Sequence, residues 1–413
     1  MHTPLDRAFV ADVGGSGSLA SRPLPPPLRP GALCILDISE FFGETSGGVR
    51  TYLLRKAAHI AGRDRFRQVL IVPGPVDQVA ERDGVRCYRL RGPSIPTRKP
   101  YRFMLAPHTT RRILRHERPD LVEIGSSWAA PWLVRRPIRE LGTPAVWFCH
   151  DAFARVIAPT NAESGFRQAA ARAAWRYIHA ISRQCRAVLA PSDFVARDLE
   201  GHGVGPVIRV SLGADLERFH QSRRERAAEV RARYGLADRP LAVFAGRFAP
   251  EKRLDTLLAA WADIHRRTGA QLVLVGEGPE QQRLATLNGT SSITWVPFEA
   301  DRDRLADLLA AAAVYLSPSP VETFGLAAVE ALASGTPVVT ADQGGVAETV
   351  VRSGAGATFP AGDAGALGDA AVAVLDAGPD RLGRLGRAYV EANHSWPVVL
   401  DRLLQIYREL AHS

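Results

Sequence analysis

Short apolar runs alternate with polar, helix-patterned stretches along most of the chain, and they fall into two series. In the first, Cys34–Ile38 is followed by a glycine-bearing turn, Ser46-Gly47-Gly48, and a helical stretch from Val49 to about Ala61. Strand-like runs then fall at Gln68–Val72, Val85–Leu90, Leu121–Ile124, Ala145–Phe148, Ala187–Ala190 and Val207–Val210. The pattern restarts at Leu241–Ala245, which ends in Gly246 and leads to a helix from about Leu254 to Thr268. Gln271–Val275, Ser292–Val296, Val314–Leu316 and Pro337–Thr340 continue it. Strands that alternate with helices predict parallel sheets covered on both faces. The expected fold is α/β, with two Rossmann-like doubly wound domains and ligands at the carboxyl ends of their strands.

The stretch from Ser211 to Arg239 holds a turn and a charged helix but no strand, so the boundary is placed there. The expected division is a flexible tail over residues 1–30, a first domain over 31–210, a second over 211–395, and a final helix over 396–413 free to pack back on the first. The tail carries Gly-Gly-Ser-Gly and Pro-Pro-Pro stretches without the apolar core and cleavage site of a signal peptide.

At 413 residues the chain is too long for one ordinary core. Hydrophobic content of 46% and charged content of 23% fit a globular protein, and no apolar run approaches the roughly 20 residues that span a bilayer. The four cysteines, Cys34, Cys87, Cys149 and Cys185, show no CxxC pair and read as scattered thiols of a cytoplasmic protein. Charge is uneven. Residues 1–210 carry 31 Lys and Arg against 18 Asp and Glu, a balance of +13, whereas residues 211–413 stand at −4. An anionic partner is therefore expected for the first half alone. Only three of the basic residues are lysines, Lys56, Lys99 and Lys252. In such an arginine-rich background a retained lysine suggests that a compact point charge is wanted.

Candidate chemistry is densest in the second series. Gly246-Arg247-Phe-Ala-Pro-Glu-Lys252 joins a strand to a helix with an Arg fork and a Lys point charge, which together suit a diphosphate. Ser317-Pro-Ser-Pro-Val-Glu322-Thr-Phe-Gly325 runs into a helix that carries Glu330. The N–H groups at its start fit a phosphate, and two carboxylates beside them suit sugar hydroxyls. A dipole-stabilised acidic first turn would account for Glu322 but not for Glu330. Asp301-Arg302-Asp303 matches a metal-binding DxD pattern, but it opens a helix, and capping explains both aspartates. No metal site is expected.

The chain resembles glycosyltransferase family 4. The Glu322 and Glu330 pair, the Gly246-Arg247…Lys252 segment and Asp342-Gln-Gly-Gly345-Val-Ala-Glu348 carry the likeness, which covers most of residues 31–410 and is strongest over 241–350. It implies the GT-B fold, two Rossmann-like domains facing each other across a cleft, and retaining transfer from a nucleotide diphosphate sugar without a metal or other cofactor. By the family's pattern Arg247 and Lys252 hold the donor diphosphate and Glu322 contacts the donor sugar. The N–H groups of Phe324, Gly325 and Leu326 hold phosphate, and Glu330 binds the ribose. In the first domain it implies a phosphate loop at Gly47 and Gly48 and a histidine, His150, near the reacting centre. Asp151 beside it is explained equally well as a helix cap.

The expected reaction moves a hexose, mannose or glucose preferred, from a UDP- or GDP-sugar to a lipid or saccharide acceptor. An epimerase or hydrolase on the same fold would need further acid/base carboxylates, and none stands out. A basic lipid- or nucleic-acid-binding module would leave the glutamates and the Arg247/Lys252 loop unexplained. Nucleic acid is not expected, because no aromatic-interleaved basic motif is present. Arg111, Arg112, Arg115 and Arg118, and Arg167, Arg172, Arg176, Arg183 and Arg186, read as solvated faces or as a peripheral attachment to an anionic membrane.

Overall fold

The computed structural model describes residues 17–28, 31–43, 47–95, 101–153, 155, 165–287 and 291–412. They form two compact units. The first takes the described residues through Pro191, Val195–Val210 and those from Leu400 on; the second takes Ser192–Phe194 and Ser211–Val399. The last helix, Trp396–His412, thus contributes its residues from Leu400 onward to the first unit.

The first unit holds an eight-stranded sheet built from β1 (Leu33–Ile38), β2 (Phe66–Gly74), β3 (Gln78–Arg82), β4 (Val85–Arg91), β5 (Leu121–Ile124), β6 (Ala145–Phe148), β7 (Ala187–Ala190) and β8 (Val207–Arg209), in the order β3-β4-β2-β1-β5-β6-β7-β8. All pairings are parallel except β3 with β4. The second unit holds β9 (Leu241–Ala245), β10 (Gln271–Val275), β11 (Ile293–Val296), β12 (Val314–Ser317), β13 (Val338–Ala341) and β14 (Gly356–Phe359), all parallel, in the order β11-β10-β9-β12-β13-β14. Most of the apolar runs become buried central strands, as β9 shows, because helices cover both faces, whereas β8 and β11 lie at sheet edges and are only partly buried. Trp261, Leu257 and Ile264 of the helix Leu254–Thr268 pack with Phe244, Leu272 and Leu274 in the core of this unit. Each sheet reverses its winding once, between β1 and β5 in the first unit and between β9 and β12 in the second.

One feature departs from the sequence reading. Residues 17–28 are not a loose tail: Leu19 is fully buried. The Arg86 guanidinium donates to the Pro25 and Pro26 carbonyls at 3.2 and 2.5 Å, and Arg112 donates to Leu19 O at 2.6 Å. Proline lacks an N–H but keeps its carbonyl, so a proline run offers acceptors to arginines with nothing to satisfy in return. Residues 1–16, 29 and 30 lie outside the described residues. Lys56, in the helix Gly48–Ala61, is not at the surface.

Lys56 sits in a closed ionic cage. Its Nζ pairs with Asp37, lies 3.1 Å from Glu123 Oε1, and is 3.0 Å from both the Tyr52 and the Tyr407 hydroxyls. Tyr52 donates to Glu123 at 2.9 Å, Tyr407 also donates to Glu123, and Gln68 donates to Asp37 at 2.6 Å. Lys56, Asp37 and Glu123 are at most 1% exposed. Burial, opposed by Lys56, pushes the Glu123 carboxyl up to about 7. Tyr407 thereby anchors the C-terminal helix to the first sheet. Removing one partner of a buried pair leaves an uncompensated charge. Lys56→Met is expected to lower stability by about 3–5 kcal/mol, and Lys56→Met with Glu123→Gln by less than the sum of the two. Denaturant unfolding of the single and double variants checks this.

Candidate functional site

In the second unit the loops that follow β9, β10, β12 and β13 are drawn together by glycines. Gly276, at φ +140°, passes so close to the β9 loop that a Cβ would lie 1.9 Å from the Gly246 carbonyl. On the other side Gly345 donates to the Glu322 carbonyl at 2.7 Å, and a Cβ on Gly325 would meet Val346 at 2.1 Å. Gly325, at φ +83°, is the N-cap of the helix Leu326–Ala333 and supplies no side-chain cap. The positive end of that helix is thus dressed only by backbone. Ser319 Oγ ties the β12 loop to Glu251 O at 2.7 Å, and the Tyr315 hydroxyl reaches Ala245 O at 3.0 Å across the switch point.

This scaffold brings the residues predicted from the second series together. Lys252 ends the short 3-10 turn Pro250–Lys252, and its Nζ pairs with Glu322. Both side chains are 21% exposed, so the pair is reachable from solvent. Arg247 lies half-buried in the same loop. Glu330, in the second turn of the helix, is 5% exposed at its side chain and pairs with Arg302. Sequence reasoning missed Arg302. It sits between two aspartates that the sequence reading assigned to the helix start, and both are engaged there or with arginines. Asp301 caps the helix Arg302–Ala311 by accepting from the N–H groups of Asp303 and Arg304, and Asp303 pairs with Arg218 and Arg223. Among the described residues no group of three or more His, Cys, Asp or Glu side chains gathers as a metal set.

In the first unit Gly47 caps the helix Gly48–Ala61 without a side-chain bond, and a Cβ there would meet nothing within 4 Å. The glycine is thus not demanded by packing, and the space beside it is open. Ser46 lies outside the described residues. His150 follows β6; its ring stacks on Phe148 at 4.1 Å between centroids and lies 5.2 Å from the Tyr52 ring. Burial, and then the Lys56 charge, pull its pKa down to about 3. Asp151 accepts from Ser127 Oγ at 2.7 Å.

Several basic residues read as one surface cluster have internal work. Arg111 and Arg115 pair with Glu140, and chiefly the Arg111 hydrogen bond lowers that carboxyl to about 2. Arg172 and Arg176, on the helix Gly165–Ser182, are exposed. The side chain of Arg167 lies outside the described residues.

Residues 46–218 match the family described as Glycosyltransferase Family 4, and residues 239–377 match Glycosyl transferases group 1. Over 324 residues the chain is 34% identical to the GDP-mannose-dependent alpha-(1-6)-phosphatidylinositol dimannoside mannosyltransferase of Mycobacterium tuberculosis (strain ATCC 25177 / H37Ra), covering 76% of this chain and 81% of that one. It is 31% identical over 375 residues to the GDP-mannose-dependent alpha-mannosyltransferase of Mycobacterium tuberculosis (strain CDC 1551 / Oshkosh), covering 90% and 95%. Among solved structures, sucrose-phosphate synthase from Thermosynechococcus elongatus superposes with a TM-score of 0.77 at 25% identity, over 92% of this chain and 100% of that one. Two doubly wound units and these likenesses define a GT-B glycosyltransferase. The chain belongs to glycosyltransferase family 4.

A histidine held at about 3 is neutral throughout the working range, and folding favours its neutral form. The stability it contributes is present above its unfolded value, about 6.5, and is lost as pH falls from there toward 3. The His150 ring is therefore expected to show no protonation in an NMR titration between pH 5 and 8. An imidazole titrating near 6.5 would contradict the burial.

Proposed function

We propose that the protein is a retaining hexosyltransferase that takes mannose from GDP-mannose and passes it to a hydroxyl of a lipid-linked or saccharide acceptor. The carrying observation is the pairing of Lys252 with Glu322 and Arg302 with Glu330 beside an uncapped helix start at the β9/β12 switch point. Lys252, with Arg247 in the same loop, suits a diphosphate, and the two carboxylates suit hydroxyls. The GDP-mannose dependence of the two mycobacterial relatives supports GDP-mannose over the UDP-sugars that the same residues would also accept.

Arg247, Lys252 and the N–H groups at Phe324, Gly325 and Leu326 would neutralise the leaving diphosphate, stabilising charge as it develops. Glu322 would hold the donor sugar and Glu330 the ribose. From the first unit, His150 is assigned to the reacting centre, where a neutral imidazole can exchange a hydrogen bond with a sugar hydroxyl. Gly47 and Gly48 are assigned to backbone contact with phosphate. The bond from the anomeric carbon to the phosphate oxygen breaks, the acceptor oxygen bonds to the same face, and its proton passes to the departing phosphate. Side chains and helix N–H groups carry the neutralisation, so neither a metal nor another cofactor is needed.

No described helix is long and apolar enough to cross a membrane. Placement in the cytoplasm, with peripheral contact to the inner membrane face through Arg172 and Arg176, fits a lipid-linked acceptor.

Incubated with a panel of nucleotide diphosphate sugars and acceptors, the protein is expected to release GDP from GDP-mannose, with EDTA leaving the rate largely intact. Lys252→Ala should stay folded and lose about 1.5–3 kcal/mol of transition-state binding, roughly ten- to a hundredfold in rate. Wild-type turnover in folded Lys252→Ala would sink the assignment.

Co-sedimentation with anionic liposomes is expected at low salt and should weaken steeply as salt rises, because such attraction is screened over about 8 Å at physiological strength. Arg172→Glu with Arg176→Glu should cut it without changing nucleotide affinity. Indifference to anionic liposomes at low salt would point to a soluble acceptor.

A further inference from the structure

Glu330 and Glu322 differ in one respect that bears on how the donor is held. Glu322 is open to solvent with its lysine, whereas Glu330 is nearly fully buried and its cation is not. A charge taken out of water is tolerated only when it is paired and hydrogen-bonded. Arg302 provides that pairing from outside. Its guanidinium lies 5.0 Å from the centre of the Phe219 ring, which holds the planar group by a cation–π contact. The Asp301 cap fixes the backbone from which Arg302 projects, and the two neighbouring aspartates are committed elsewhere, to the helix start and to Arg218 and Arg223. Arg302 is therefore directed to Glu330 by two separate restraints, neither of which involves a ligand.

We propose that Arg302 is a positioning residue for the nucleotide ribose: pinned by Phe219 and the Asp301 cap, it holds the Glu330 carboxylate charged and oriented to accept the vicinal ribose hydroxyls. This rests on the reading of Glu330 as the ribose acceptor. A hydroxyl donates more strongly to a carboxylate than to a neutral acid, so the Arg302 contribution reaches the nucleotide only through the ribose. The phosphates and the base are recognised without it. Arg302 is thus not a metal-site relic of the Asp-Arg-Asp sequence but the part of it that serves the donor.

The test is calorimetric binding of GDP and of 2′,3′-dideoxy-GDP to the full chain, with thermal melts to confirm folding. Arg302→Met is expected to weaken GDP binding roughly tenfold or more while leaving the dideoxy analogue unchanged. Arg302→Lys, which keeps a charge on the carboxylate, should recover most of the loss. Glu330→Gln should weaken GDP similarly, and the double variant with Arg302→Met should be no weaker than Glu330→Gln alone. Saturating donor should restore turnover in Arg302→Met, placing the defect in KM. Undiminished GDP binding in Arg302→Met, or an equal loss for both nucleotides in Arg302→Met and in the folded Arg302→Lys variant, would overturn the proposal. If Glu330→Gln itself leaves GDP binding unchanged, the ribose reading of Glu330 fails instead. If Glu330→Gln weakens binding and Arg302→Met does not, only the role of Arg302 fails.

Discussion

A parallel sheet that winds first to one side and then to the other must leave two adjacent strands whose connections depart in opposite directions, and at that point no crossover covers the carboxyl ends. In the second unit those strands are β9 and β12. The chemistry-bearing loops of this unit begin there: Arg247 and Lys252 follow β9, and Glu322 and the uncapped helix follow β12. The glycines serve that constraint. Gly276 and Gly345 stand where a Cβ would strike neighbouring backbone at 1.9 and 2.4 Å, so the four loops can approach closely only without side chains at these positions. The site follows from the topology, and the glycines allow the topology to close.

Within that crevice the protein satisfies itself. Each of the two glutamates is matched by a cation, as a carboxylate drawn out of water requires. A nucleotide diphosphate sugar carries the complementary groups in the same molecule: anionic oxygens for Lys252 and hydroxyls for Glu322. On the proposed reading its arrival would exchange partners instead of burying unpaired charge, which keeps the desolvation cost low for a ligand of such polarity. A ligand with phosphates but no hydroxyls would take Lys252 and strand Glu322.

Much of this was legible in the chain. β5, β6, β7, β9 and β10 fall at the residues their apolar runs mark, because strands covered on both faces read as near-continuous apolar runs. β3 was not legible: Gln78–Arg82 is a polar edge strand that exists by pairing back on β4. β14, Gly356–Phe359, is led by glycine and has only one buried residue, so it does not stand out. The glutamate pair could be read from local spacing. Arg302 could not, since its partner lies 28 residues away and its neighbours announce a different chemistry. Lys56 was conspicuous as a rare lysine, yet its depth depends on Tyr407, 351 residues along. Sequence shows which residue is unusual; contact across the fold decides what it is for.

Burial separates three of the lysine- or arginine-carboxylate pairs, those of Lys56, Lys252 and Arg302, by what each can do. The Lys56 cage is closed on all sides, and two tyrosine hydroxyls satisfy what the lysine does not, so no ligand can enter the exchange. Lys252 and Glu322 are equally open, and either can leave the other at little cost. Arg302 and Glu330 are unequal, 32% against 5% exposed. The arginine can return to water while the carboxylate cannot. Whatever occupies this end of the crevice must therefore either leave Arg302 in place or bring hydrogen-bond donors of its own, and a ribose brings two, side by side.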